Sequence, residues 1–173
     1  ATADYLWNNI VDKQMYITGG VGAVGMDEAY GDNYHLPNDG YCETCAQVAM
    51  GFFSEYLSLT FGDAKYANVV ENYIYNGVLG GMGLSGDSFY YQQPLSAKDG
   101  RWDWINYTPC CPPMFLKFYS EMPTYIYSYT DKAVYVNQFI SSELTLDDGR
   151  KVAMESGMPF GGDSAITVTG DTE

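Results

Sequence analysis

Past Pro123 the spacing of apolar residues changes from near 3.6 to near 2, and no single class of secondary structure accommodates both halves of the chain. Upstream, Leu6, Trp7, Ile10 and Val11 recur at helical spacing within residues 3–15. From 41 to 61, Val48, Met50, Phe52, Phe53, Tyr56, Leu57 and Leu59 fall on nearly every side, which predicts a helix packed between neighbours. Val70, Ile74 and Val78 stripe a further helix over 64–79. Downstream, 125–129, 133–140, 143–146 and 165–168 alternate as strands do, and Asp131-Lys132, Asp147-Asp148-Gly149 and Gly161-Gly162-Asp163 supply turns between them. The reading is mainly α with a β C-terminal part: a helical domain over 1–122 and the start of a β domain over 123–173.

The connections hold as much information as the helices. Residues 19–40 are rich in glycine, aspartate and tyrosine and contain the turn Pro37-Asn38-Asp39-Gly40, so a long ordered loop is expected. Loops of this length usually carry function, and this one contains Asp27, Glu28 and the sole histidine, His35, to which no role is given. Residues 88–92 read as a short strand and 101–109 as a loop feeding Cys110. Pro112 and Pro113 suit the first turn of a helix running to about Tyr119. Ala1 opens directly on a helical pattern and the chain stops straight after a strand-like run, as expected of part of a longer protein.

A formal charge of −14, from 22 acidic against 8 basic residues, opposes phosphate backbones and anionic lipid head groups, so neither nucleic acid nor a membrane is an expected partner. No apolar run approaches the roughly 20 residues that span a bilayer, and the N-terminus has no signal-peptide pattern. The expected compartment is the cytoplasm or the periplasm. The 17 tyrosines fit both a core and a carbohydrate-binding cleft.

All 4 cysteines lie in two short segments, Tyr41-Cys42-Glu43-Thr44-Cys45 and Cys110-Cys111-Pro112-Pro113. Each segment is placed at a helix start, where backbone N–H groups and the helix dipole favour thiolate. A Cys-x-x-Cys pair with a second cysteine pair is the ligand supply of a tetrahedral zinc site, and Glu43 offers an oxygen in place of one sulfur. Disulfides between the two clusters are the alternative, although this is not a disulfide-dense small domain. A thioredoxin-like role for Cys42 and Cys45 needs a βαβ context that the flanking sequence does not provide.

Several motifs together resemble glycoside hydrolase family 127, the β-L-arabinofuranosidases, over about residues 1–150. They are Thr18-Gly19-Gly20, Glu28-Ala29-Tyr30-Gly31, Leu36-Pro37-Asn38-Asp39, Tyr41-Cys42-Glu43-Thr44-Cys45, Glu71 followed by Tyr75-Asn76-Gly77-Val78-Leu79, and Cys110-Cys111-Pro112-Pro113, in that order. The resemblance implies the second half of an (α/α)6 barrel leading into a β-sandwich. It also implies that Glu43, Cys45, Cys110 and Cys111 bind Zn2+, that Cys110 is the nucleophile and Glu28 the general acid/base, and that Glu71 and Tyr91 line the sugar pocket. Where spacing alone selects Cys42 as a ligand, the family pattern selects Glu43. The chain departs from that pattern at Met114, in place of a common asparagine, and at Lys117, near a usual arginine. Pocket histidines that the family draws from earlier barrel helices fall before Ala1.

The implied activity is zinc-dependent, retaining release of L-arabinofuranose from β-L-arabinofuranosides of plant cell-wall glycans, by an enzyme that can be a homo-oligomer. Two other readings use the same residues. One is a hydrolase of another rare cell-wall furanose; the other is a non-catalytic, zinc-stabilised carbohydrate-binding module, which needs no carboxylate at position 28 facing the thiolate. Taken singly, Cys110 and Cys111 also suit a closed structural site, Glu71 a solvated helix position, and Tyr91 a plain strand aromatic.

Overall fold

The computed structural model describes residues 2–25, 27–97 and 110–170. The chain forms two compact units, Ala1–Glu121 and Met122–Glu173. The first is helical: α1 (Thr2–Lys13), α2 (Thr44–Phe61), α3 (Ala64–Asn72) and α4 (Cys111–Ser120). One π-helical turn (Tyr73–Gly77) and one 3-10 turn (Leu79–Gly81) extend α3. The expected helix over 64–79 therefore loses its α geometry after Asn72. Glycines 77, 80, 81 and 83 weaken helix propensity there, and the backbone N–H of Val78 bonds the Tyr73 carbonyl five residues back.

Specific contacts fix how these helices pack. Trp7 of α1 is buried, donates from Nε1 to Ser54 Oγ of α2 at 2.8 Å, and meets the Tyr66 ring of α3 edge-on at 4.7 Å. Lys65 pairs with Asp4 at 2.9 Å, and the Tyr66 hydroxyl donates to the same carboxylate. Those two bonds hold the Asp4 carboxyl at about 2, below its ordinary 3.8, with the Tyr66 bond the larger cause. Gly62 in the left-handed region (φ 64°) closes α2, and Asp63 caps α3 by accepting from the Lys65 N–H at 3.0 Å. Gly51 lets α2 and α4 approach: a Cβ there would lie 2.7 Å from Phe118 Cε2. Phe118 is fully buried and also meets Phe52, with ring centroids 5.9 Å apart.

The second unit begins with a short helix α5 (Met122–Ile126) and continues with β1 (Tyr127–Tyr129), β2 (Val134–Val136), β3 (Ser142–Thr145), β4 (Lys151–Ser156) and β5 (Ser164–Thr169). β1 and β2 form one antiparallel ladder, with Tyr127 opposite Val136. β3, β4 and β5 form a meander, with Val152 opposite both Leu144 and Val168. Val152 and Met154, on one face of β4, are buried.

Three expectations change here. Residues 125 and 126 are helical, not strand. Residues 88–92 make no strand; Phe89 bridges singly to Met82, and Gln92 to Glu43. β4 was not anticipated, although Val152 and Met154 alternate directly after the Asp147-Asp148-Gly149 turn, and a hairpin turn requires a second strand. The expected loop over 101–109 lies outside the described residues.

Candidate metal centre and active site

The segment 41–44 lies between two others. Tyr41 N–H donates to the Ala23 carbonyl at 3.0 Å and Cys42 N–H to the Gly22 carbonyl at 2.8 Å. On the far side Thr44 N–H donates to the Tyr91 carbonyl at 2.9 Å, and Gln93 N–H to the Cys42 carbonyl at 3.0 Å. Held from both flanks, the chain takes a left-handed conformation at Cys42 (φ 46°), turns extended at Glu43 (φ −63°, ψ 141°) and enters α2 at Thr44. Glu43 is thus the residue just ahead of the helix, and Cys45 projects from its first turn. Cys110 occupies the same position ahead of α4, whose first turn holds Cys111, Pro112 and Pro113. Because α2 packs on α4 through Gly51 and Phe118, the two helix starts converge.

They bring Glu43, Cys45, Cys110 and Cys111 together, one ligand atom from each, all within 4.8 Å of one another, and this group could hold a metal ion. Cys45 Sγ lies 3.5 Å from Cys111 Sγ, and Cys110 Sγ 3.7 Å from Cys111 Sγ. Glu43 Oε1 is 3.4 Å from Cys110 Sγ and 3.6 Å from Cys111 Sγ. Glu43 and Cys111 are buried, whereas Cys45 and Cys110 are partly exposed. The hydrogen bond between Cys45 and Cys111 holds the Cys45 thiol below its ordinary range and Cys111 well above it, because the first negative charge on the pair opposes a second. Desolvation raises Cys110 as well. Cys110 and Cys111 are thus both held toward the thiol, and a cation among the four donors would favour their thiolates.

Cys42 takes no part. Spacing alone selects Cys42 as a ligand, but α2 starts after Cys42, whose thiol turns instead into a small core with Tyr16, Ala23 and Leu36. Burial there pushes the Cys42 thiol up to about 11.

The remaining candidates lie as follows. The Tyr91 hydroxyl is 3.4 Å from Cys110 Sγ, accepting from the thiol and donating to the thiolate; donation to the thiolate, with burial, raises the phenol above its ordinary range. Glu28 lies outside the four-donor group, exposed on a tight turn closed by the Val24–Ala29 bridge, with its backbone in the left-handed region (φ 50°). Positive φ at a non-glycine residue stores strain. Burial and the neighbouring Glu43 raise the Tyr41 phenol, and the Glu28 charge adds a smaller share. Burial, and after it the charge of Glu71, half-buried on α3, raises Tyr75, which lines a cleft of about 580 Å³ with Gln47, Asn76, Tyr90 and Gln93. Glu71 is not among that cleft's lining residues or the four donors.

Sequence reasoning assigned nothing to Tyr41, yet its hydroxyl donates to Glu43 Oε2 at 3.1 Å and its ring lies 6.4 Å from that of Tyr91. The available signal was position alone: Tyr41 stands two residues from Glu43 in the same short motif.

The profile of the family described as "Beta-L-arabinofuranosidase, GH127 catalytic domain" matches residues 1–124. The chain is 34% identical over 184 aligned residues to a non-reducing end β-L-arabinofuranosidase of Bifidobacterium longum subsp. longum, covering 97% of this chain and 28% of that protein. Among solved structures it resembles a GH127 β-L-arabinofuranosidase from Geobacillus stearothermophilus T6, with a TM-score of 0.87, 35% identity, and 94% of this chain and 28% of the other covered. A GH127 β-arabinofuranosidase matches with a TM-score of 0.84 and 41% identity, over 96% of this chain and 27% of its own. This chain therefore spans less than a third of the relatives it matches, and the profile match over residues 1–124 of the 173 shows that it belongs to the β-L-arabinofuranosidase family of glycoside hydrolases, GH127.

Proposed function

We propose that the chain carries the metal centre and the reacting groups of a zinc-dependent, retaining β-L-arabinofuranosidase. The observation that carries this reading is the spacing of the four donors. With Zn–S of about 2.3 Å and Zn–O of about 2.1 Å, a tetrahedral site spaces its sulfurs about 3.8 Å apart and sulfur from oxygen about 3.6 Å. Two of the three sulfur pairs here are 3.5 and 3.7 Å apart and two of the three sulfur–oxygen pairs 3.4 and 3.6 Å, with all four donor atoms within 4.8 Å of one another, so the residues fit the ion. Soft thiolates with a single carboxylate also favour zinc over harder, oxygen-seeking cations.

Bound zinc would keep the Cys110 sulfur deprotonated at neutral pH and ease its later departure. In the first step that sulfur attacks the anomeric carbon while Glu28 gives its proton to the leaving oxygen, whose bond to the sugar breaks. In the second, Glu28 takes a proton from water, the water oxygen attacks the same carbon, and the carbon–sulfur bond breaks. Two inversions at one carbon retain configuration. Partial exposure sets Cys45 and Cys110 apart from the buried Cys111, and of those two Cys110 has the Tyr91 hydroxyl against its sulfur, which supports it as the attacking one. Tyr91, bonded to Cys110, directs the sulfur, and Glu71 with Tyr91 lines the sugar pocket. In this reading residues 1–122 are part of an (α/α)6 barrel and 123–173 begin a β-sandwich. The substrate is a β-L-arabinofuranoside of plant cell-wall origin.

The test separates attack from ligation. Both roles make Cys110→Ala inactive, so zinc content and turnover must be measured on one sample. Cys110→Ser keeps an oxygen ligand but presents a far weaker nucleophile, and it should retain much of the zinc while losing nearly all turnover. A furanose analogue with an electrophile at the anomeric carbon should label Cys110, located by mass spectrometry of a digest. A label on Glu43 would make the carboxylate the nucleophile.

A further inference from the structure

Glu43 has two carboxylate oxygens, and the sulfurs of Cys110 and Cys111 approach the same one. Oε1 faces Cys110 and Cys111 at 3.4 and 3.6 Å, whereas Oε2 accepts from the Tyr41 hydroxyl at 3.1 Å. A carboxylate free to rotate exchanges its oxygens and can swing to bind a cation through both. A donor on the second oxygen forbids both motions. Tyr41 is itself well seated. Its N–H bonds Ala23, and its ring lies against Gly25, where a Cβ would come within 3.2 Å of Tyr41 Cδ2. Ala23 and Gly25 flank Val24, which begins the bridged turn carrying Glu28.

We propose that Tyr41 is a positioning residue. Its hydroxyl fixes which oxygen of Glu43 faces the metal, and its ring ties that carboxylate to the turn bearing Glu28, so that ligand and acid/base are set from one side chain. This rests on the reading of Glu43 as a ligand. The alignment matters for chemistry because a one-oxygen carboxylate leaves the fourth position of the site defined and the Cys110 sulfur in a single direction, whereas a two-oxygen one crowds it.

The experiment is a double-mutant cycle on the full-length enzyme, using Zn2+ affinity by competition with a chromophoric chelator, and the absorption spectrum of the Co2+-substituted protein. Tyr41→Phe keeps the ring and removes the donor. It should weaken Zn2+ binding about 10–100-fold, the usual effect of losing an outer-shell partner, and change the Co2+ bands. In a Glu43→Ala background, where three thiolates still hold the ion, Tyr41→Phe should add nothing. A loss that persists undiminished in that background is structural and overturns the proposal. So does an unchanged affinity and spectrum in Tyr41→Phe while Glu43→Ala binds more weakly, and in that case the ligand reading survives. If Glu43→Ala binds Zn2+ as tightly as the unaltered enzyme, the ligand reading falls and takes the proposal with it.

Discussion

The sulfurs of Cys45 and Cys111 stand 3.5 Å apart although 66 residues separate them in the chain. No local preference makes that contact. It follows from packing α2 against α4 through Gly51 and Phe118, with one cysteine in the first turn of each helix. A site assembled this way depends on helix packing as much as on its ligands.

The donor group should hold about one zinc ion per chain, found by metal analysis of the purified protein. With the ion bound, Cys45, Cys110 and Cys111 should react slowly with a chromogenic disulfide reagent. After chelation the partly exposed Cys45 and Cys110 should react quickly, while Cys42 and Cys111, each 1% exposed, stay protected until the protein unfolds. Rapid labelling of Cys42 in the native protein, or no metal at all, would contradict the arrangement.

Gly51→Ala tests the packing. Its Cβ would sit 2.7 Å from Phe118 Cε2, so α4 must shift or Phe118 must leave its rotamer. Overpacking of this kind costs about 1–3 kcal/mol, read by chemical denaturation. Because α4 carries Cys111 in its first turn, zinc affinity should fall as well. A stability loss with unchanged zinc affinity would show that α4 adjusts without moving its N-terminal end.

Asp4 ties α1 to α3 by accepting from Tyr66 and Lys65, and its carboxyl is held at about 2 against an ordinary 3.8. A folded-state value below the unfolded one means that the ionised form stabilises. The contribution is fully present above about pH 4 and is lost as pH falls through about 2. Asp4→Asn should therefore lower stability at neutral pH and flatten the acid limb between those values. Parallel acid limbs for variant and parent would remove Asp4 from the account.

The helices were legible because their apolar residues keep one period. The long α2 was visible from its apolar groups on nearly every side, the pattern of a helix packed between neighbours; in the structure Gly62 ends it and Asp63 caps the next. The four donors were legible only through the combined motifs. Read alone, the Cys-x-x-Cys spacing selects Cys42, because nothing local says that the helix starts after it. That boundary is set by hydrogen bonds from residues 22–23 on one side and 91–93 on the other. Residues 88–92 misled for a related reason: their aromatics have strand propensity, but among the described residues they form isolated bridges, such as those of Phe89 to Met82 and Gln92 to Glu43, in place of a ladder. The hydroxyl of Tyr41 on Glu43 is a tertiary contact with only a weak positional signal in the sequence.

Glu28→Gln tests the acid/base and separates it from a merely positioned loop carboxylate. Glu28 sits on a turn whose backbone is in the left-handed region, and glutamine is nearly isosteric, so the fold of the turn should persist. Proton donation matters in proportion to the basicity of the leaving group. The variant should therefore lose a large factor, on the order of 10²–10⁴, on alkyl or sugar leaving groups, and far less in the first step on activated aryl furanosides. With the aryl substrates the second step then limits turnover, because no carboxylate remains to activate water. Azide, which attacks without giving up a proton, should restore part of the rate and yield a glycosyl azide of retained configuration. An equal loss across all leaving groups, with no rescue, would mean that Glu28 only holds its turn in place beside Tyr41.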